Sequence, residues 1–180
     1  LSRHKSANAV DRNTRNHFFS NSNVNIGLSG FNSSTINLNL QAVTNPDYLK
    51  SYKLNSPLIT SNSSLNSILS FKADKENLSI ETSIETYEDL TKNKSSDKYE
   101  FVYPNVKVLK TFNTNDSLNG KLSLATSGHQ RTFNTNSEEQ VLINNLLYES
   151  NSLVAENGLK NIYKLELKNV NSNAKKSTNY

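Results

Sequence analysis

Leu65-Asn66-Ser67-Ile68-Leu69-Ser70-Phe71-Lys72-Ala73, then Asp74-Lys75-Glu76-Asn77, then Leu78-Ser79-Ile80-Glu81-Thr82-Ser83-Ile84, is the stretch whose reading decides the fold. In its first part Leu65, Leu69, Phe71 and Ala73 fall on one parity. In its last part Leu78, Ile80 and Ile84 do the same, with Ser79 and Glu81 between them. A repeat of two puts the apolar side chains on one side of an extended backbone and the polar ones on the other. The polar run Asp74–Asn77 breaks the pattern as a turn would. The pair reads as a β-hairpin with one apolar face.

The same period extends along the chain. It appears at 24–28 and again at Ile36, Leu38, Leu40 and Ala42, where Asn37, Asn39 and Gln41 intervene. It continues through 99–112 and opens another strand at Leu122 and Leu124. It returns at Leu159, Tyr163, Leu165 and Leu167. The richer stretch 139–153 fits a strand covered on both faces, or one with a bulge. No segment sustains a 3.6-residue period. The sequence thus predicts an all-β protein of eight antiparallel, up-and-down strands, each of roughly 10–14 residues.

The connections alternate. Short ones are expected at 29–33, 74–77, 113–120 and around Glu156-Asn157-Gly158, where Asn-Gly is a strong hairpin signal. Long ones are expected at 44–63, 88–98 and 129–138. An up-and-down membrane barrel alternates this way, with short periplasmic turns and long external loops. An outer-membrane strand needs about 9–11 residues, whereas soluble strands average about five or six. A wet lumen also explains how a chain only 34% hydrophobic can fold. The expected architecture is therefore about eight strands of a larger transmembrane β-barrel. The whole of 1–180 is one partial barrel domain, with 1–17 and 171–180 as external-loop segments.

Composition excludes other classes. The absence of cysteine removes disulfide scaffolds, thiolate metal sites and cysteine nucleophiles. No apolar run exceeds three residues, so no helix spans a membrane. The chain starts at Leu1 without a signal-like stretch, as expected of a segment excised from something longer. His4, His17 and His129 have no partner at metal-ligand spacing and read as exposed loop residues. Ser127-Gly128-His129 is no evidence for a catalytic triad.

Specific words in the sequence carry a resemblance. These are Asp11-Arg12-Asn13-Thr14-Arg15, Pro46-Asp47-Tyr48-Leu49 with Tyr52, Ile84-Glu85-Thr86-Tyr87-Glu88-Asp89-Leu90, and Tyr99-Glu100-Phe101-Val102-Tyr103-Pro104. Over about 11–130 the chain resembles the barrel domain of the LptD (OstA/Imp) family, the lipopolysaccharide-assembly proteins of the Gram-negative outer membrane. Asp47, Tyr48, Leu49, Tyr52, Tyr99 and Pro104 stand at family-like motif positions. Tyr103 departs from the family's usual Leu, Pro46 from the first Asp of an Asp-Asp pair, and no Trp girdle or family cysteine is present. The resemblance implies an outer-membrane conduit for lipopolysaccharide. In the full-length protein an LptE-like plug lipoprotein and an LptA-like periplasmic bridge would be its partners.

On this reading Ile36, Leu38, Leu40, Leu78, Ile80 and Ile84 face lipid, while Asn37, Asn39, Ser79 and Glu81 face the lumen. Tyr48, Tyr52, Tyr87, Tyr99 and Tyr103 bracket the long loops as interface aromatics. Pro57 and Pro104 are expected near strand starts. Basic groups gather at Arg3, His4, Lys5, Arg12 and Arg15, at Lys92, Lys94 and Lys98, and at Lys175-Lys176, all in the external-loop set. They could meet lipopolysaccharide phosphates. A pI of 9.2 invites a nucleic-acid reading, but no helical reader or aromatic sheet motif accompanies it. The expectation is no enzyme, no cofactor, no metal and no nucleic acid. The alternatives are another large barrel, porin or receptor, or a soluble β-sandwich or solenoid binding module.

Overall fold

The computed structural model describes residues 3–4, 15–54, 56–112, 114 and 119–176. The chain is all-β. Eight long strands follow one another up and down: β2 (Arg15–Asn25), β3 (Ser33–Val43), β4 (Ser64–Lys75), β5 (Leu78–Asp89), β6 (Tyr99–Phe112), β7 (Gly120–Phe133), β8 (Glu138–Ser150) and β11 (Lys164–Lys175). They form one antiparallel sheet in chain order. A two-residue strand, β1 (Arg3–His4), pairs with Arg15 and Asn16 at one edge. The other edge is β11, and the sheet is open. A second pair, β9 (Leu153–Val154) with β10 (Lys160–Asn161), forms a small hairpin. Gly158 closes it at φ +82, a conformation that glycine adopts without strain.

The hairpin that decided the fold forms as read. Lys75 pairs with Leu78 and Leu69 with Ile84, through a turn of only two residues, 76–77. Elsewhere the elements depart from expectation. The first strand occupies 15–25 rather than 24–28, so 15–17 are strand and not loop. The long connection expected at 129–138 is a four-residue turn over 134–137. Its flanks look loop-like because they are polar, yet their charges pair across strands. Arg131 Nη1 lies 3.2 Å from Glu139 Oε2, and Glu138 sits opposite Lys175. The last strand is 164–175 rather than 159–168, so 171–175, expected as loop, are paired with 138–142. The connection before it spans 151–163 and is the longest at its end. The alternation of short and long connections therefore fails at its last two members. The rest of 1–17 and of 171–180, Asn113, and 115–118 lie outside the described residues, apart from Arg3, His4 and Lys176.

Two local features were not legible in the period. A five-residue helix, α1 (Tyr48–Tyr52), lies inside the 44–63 connection. A bulge, one of the two readings of 139–153, lies instead in β6, where the register slips between Val102 and Asn105. Pro104 thus sits mid-strand, where the ladder is already broken and its missing N–H costs nothing.

The apolar core is small. Tyr48, Leu49, Leu65 and Leu90 are buried together, with Phe19, Val43, Tyr52, Leu54 and Ile59 packed against them. This cluster caps one end of the sheet. The cap end carries 44–63, 90–98 and 134–137, and the opposite end carries 26–32, 76–77, 113–119 and 151–163.

Candidate functional site

Residues opposite one another in an antiparallel ladder share a face. One row of cross-strand partners joins Ile36, Phe71, Thr82, Val106, Gly128, Leu142 and Asn171. By the same register Ile36, Leu38, Leu40, Leu78, Ile80 and Ile84 lie together on this face, with Phe18, Leu69, Val108, Phe101, Leu124, Leu146, Leu165 and Leu167. The face is bare: Ile84 is 55% and Leu69 46% exposed. The opposite face carries Asn37, Asn39, Ser79 and Glu81. Leu109 and Val170 are large exposed hydrophobics on that polar side.

The polar face is most organised over β5 to β8. Both oxygens of Glu85 are engaged. Oε1 accepts from Ser83 Oγ at 2.5 Å and Asn105 Nδ2 at 2.9 Å, and Oε2 accepts from Tyr87 O–H at 2.5 Å. Arg131 lies between two carboxylates, with Nε 2.8 Å from Glu100 Oε1 and Nη1 3.2 Å from Glu139 Oε2. The Nε contact is one of charge, without an aligned hydrogen bond. Glu85, Tyr87, Asn105, Glu100 and Arg131, with Val102 and His129, line a hollow of about 200 Å³. His129 Nε2 is buried there without a partner among the described residues. A saturated carboxylate such as Glu85 is held in place rather than poised as a base. The arrangement suits a polar wall that exchanges hydrogen bonds with hydroxyls and water. Among the described residues no cluster of His, Asp and Glu could hold a metal.

The cap end is built on side-chain bridges. The β3–β4 ladder ends at Asn39–Ile68, although β3 runs to Val43 and β4 starts at Ser64. Gln41, only 9% exposed, fills the wedge. Its Oε1 accepts from Asn66 N–H at 3.0 Å and its Nε2 donates to Leu58 C=O at 2.8 Å. Asn134 ties two connections together. Its Nδ2 donates to the carbonyls of Lys94 (2.8 Å) and Ser96 (3.0 Å), and its Oδ1 accepts from Tyr99 N–H. Thr135 Oγ1 donates to Asp97.

The motif residues separate in space. Asp47 opens α1 without a side-chain cap bond. Tyr48 is fully buried, which rules it out as an interface aromatic; its O–H lies 2.9 Å from His17 Nδ1. Leu49 joins it in the cap core, and the Tyr52 ring packs tilted against Tyr48, 4.8 Å between centroids. Tyr99 starts β6, where Lys98 lies over its ring. Tyr99, Phe101 and Tyr103 are on the apolar face toward the cap, and Phe112 and Tyr148 toward the other end. Tyr87 is on the polar face. Lys98 is not a solvated loop cation: it is 8% exposed and 3.1 Å from Glu88 Oε1. His17 and His129 are strand residues, not loop residues. The Glu85 and Arg131 clusters were missed because only the register brings their members together.

Compared with known protein families, with curated proteins and with solved structures, the chain matches none.

Proposed function

We propose that this chain forms part of the wall of an outer-membrane β-barrel of the LptD kind, which carries lipopolysaccharide to the outer leaflet. The observation that carries the membrane reading is the slant of the apolar band. Along the row through Ile36 and Asn171, the apolar residues of β3 lie on the row and capward of it, at Ile36, Leu38 and Leu40. On β7 the capward positions are Gln130 and Thr132, and the apolar ones are Leu124 and Leu122 on the far side. On β11 the apolar pair is Leu167 and Leu165, level with Leu124 and Leu122 in the same cross-strand rows. Averaged over the six steps from β3 to β11 the band slides by about one residue per strand.

At about 3.3 Å per residue and 4.8 Å between strands, that slide corresponds to a strand tilt of about 35–40°. A flat hydrocarbon slab crossing tilted barrel strands requires such a slant. Eleven residues at that tilt climb about 28 Å, enough for an apolar band of about 25 Å. The polar face, with its Glu85 and Arg131 clusters, then lines a wet lumen.

The lipopolysaccharide part of the proposal rests on the sequence resemblance over 11–130. Its test is depletion of the protein in a Gram-negative cell that depends on it. Newly made lipopolysaccharide stalling short of the surface, with raised permeability to hydrophobic drugs, supports the reading. Normal surface lipopolysaccharide rejects the transport role and leaves a porin or receptor barrel.

A further inference from the structure

We propose that the β9–β10 hairpin lies in the head-group region of the bilayer, with its apolar face of Leu153, Ala155 and Leu159 turned into a phospholipid leaflet. The inference rests on the membrane reading of the sheet and adds a lipid contact made outside the barrel wall.

The pairing fixes the two faces of the hairpin. Residues opposite one another share a face, and chain neighbours change sides. Leu153 opposes Asn161, and Val154 opposes Lys160. Ala155 N–H donates to Leu159 C=O at 2.9 Å and Gly158 N–H to Ala155 C=O at 2.8 Å, which closes a three-residue turn. One face therefore carries Leu153, Ala155 and Leu159 with Asn161, and the other carries Val154 and Lys160. Leu153 is 45% and Leu159 58% exposed, so the first face is bare among the described residues. A lone two-stranded hairpin is marginal in water, and a surface that takes up its apolar face stabilises it.

Position says which surface. Phe112, Leu122, Tyr148 and Leu165 form one cross-strand row on the apolar face of the sheet. Two residues beyond Leu165, Tyr163 continues that face. Its C=O accepts from Ser150 N–H at 2.8 Å, and its N–H donates to Ser150 Oγ at 2.8 Å. Phe112 and Tyr163 are both exposed. Aromatic rings at the edge of an apolar band mark the bilayer interface, because a ring is apolar and a tyrosine tip is polar. The hairpin leaves the sheet at this belt. It is tied there by Asn151, whose N–H donates to Asn119 C=O at 2.9 Å. Its first residues thus stand at head-group depth. A segment with one apolar and one charged face at that depth lies in the interface plane. Lys160, on the other face, is then placed to meet lipid phosphates.

The experiment uses the full chain reconstituted in phosphatidylcholine vesicles. The chain has no tryptophan, so each introduced indole reports alone. The variants are Leu159→Trp and Lys160→Trp on opposite faces of the hairpin, with Leu69→Trp as a reporter of the sheet's apolar face. Leu153→Trp replaces Leu159→Trp should that variant misfold by circular dichroism. Phosphatidylcholine brominated near the top of its acyl chains should quench Leu159→Trp about threefold more strongly than Lys160→Trp, and aqueous acrylamide should show the reverse order. Equal acrylamide quenching at 159 and 160, with Leu69→Trp quenched by the brominated lipid, overturns the hairpin contact and leaves the membrane wall standing. Shielding of Leu159→Trp from both quenchers shows that protein covers this face and overturns the proposal as well. Absence of lipid quenching at Leu69→Trp rejects the membrane wall, and the hairpin contact falls with it.

Discussion

Ile36 and Asn37 are chain neighbours that face opposite ways: Ile36 opposes Phe71, and Asn37 opposes Ser70. If the first meets lipid and the second water, arginine is tolerated at only one of them. Ile36→Arg should cost about 2–4 kcal/mol of folding stability in bilayers, and Asn37→Arg less than about 1 kcal/mol. Urea titration in lipid vesicles reads the difference, and equal costs reject the assignment. Gly128 is a second sensitive position. A Cβ there would lie 2.9 Å from Val141 C=O and 3.2 Å from Leu142 Cδ1. Gly128→Ala should destabilise by about 1–3 kcal/mol, read as a lower urea midpoint with an unchanged slope. Alternation in the sequence was enough to place Ile36 and Asn37 on their faces. It could not place Tyr48, because burial at 0% exposure comes from Leu65 and Leu90, distant in sequence and joined to it only by the fold.

Strands were legible where apolar and polar residues alternate and illegible where both faces are polar. β7 beyond Gly128 and β11 beyond Leu167 have few apolar residues, so their ends looked like loops. Cross-strand pairs such as Arg131–Glu139 hold them instead. The α1 helix escaped because five residues are too few to show a period. The Asn134 side chain makes three of the hydrogen bonds that tie down the 90–98 connection and the start of β6. Asn134→Ala removes three hydrogen bonds to the backbone, about 1–3 kcal/mol for the groups left unpaired. Trypsin should then cut at Lys92 or Lys94 faster than in the parent chain, with cleavage at Lys50 and Lys53 unchanged. Unchanged cutting at Lys92 and Lys94 would show that other contacts fix this connection.

The end that faces outward cannot be read from connection length alone, since 134–137 is short and 151–163 is long. If the sheet is the outer-membrane wall proposed above, the cap end with 44–63 and 90–98 is expected to be the external one, as long connections are in such barrels. In the intact protein on whole cells, Asn93→Cys and Ser137→Cys should react with an impermeant thiol reagent. Lys75→Cys and Asn157→Cys should react only after the outer membrane is breached; the reverse pattern turns the barrel over.

Whether the bare face meets lipid at all is decided by a nitroxide scan along β4 and β5 in the bilayer-reconstituted protein. Labels at Leu69, Phe71, Ile80 and Ile84 should collide mainly with oxygen, and labels at Ser70, Lys72, Ser79 and Glu81 mainly with a water-soluble nickel chelate. A lipid-facing band further requires the oxygen maximum to lie farther from the cap on β7 and β11 than on β4 and β5, when the scan is repeated there. Nickel access on both parities, or protection of both parities from lipid and water alike, would contradict a membrane wall and return the sheet to a soluble assembly.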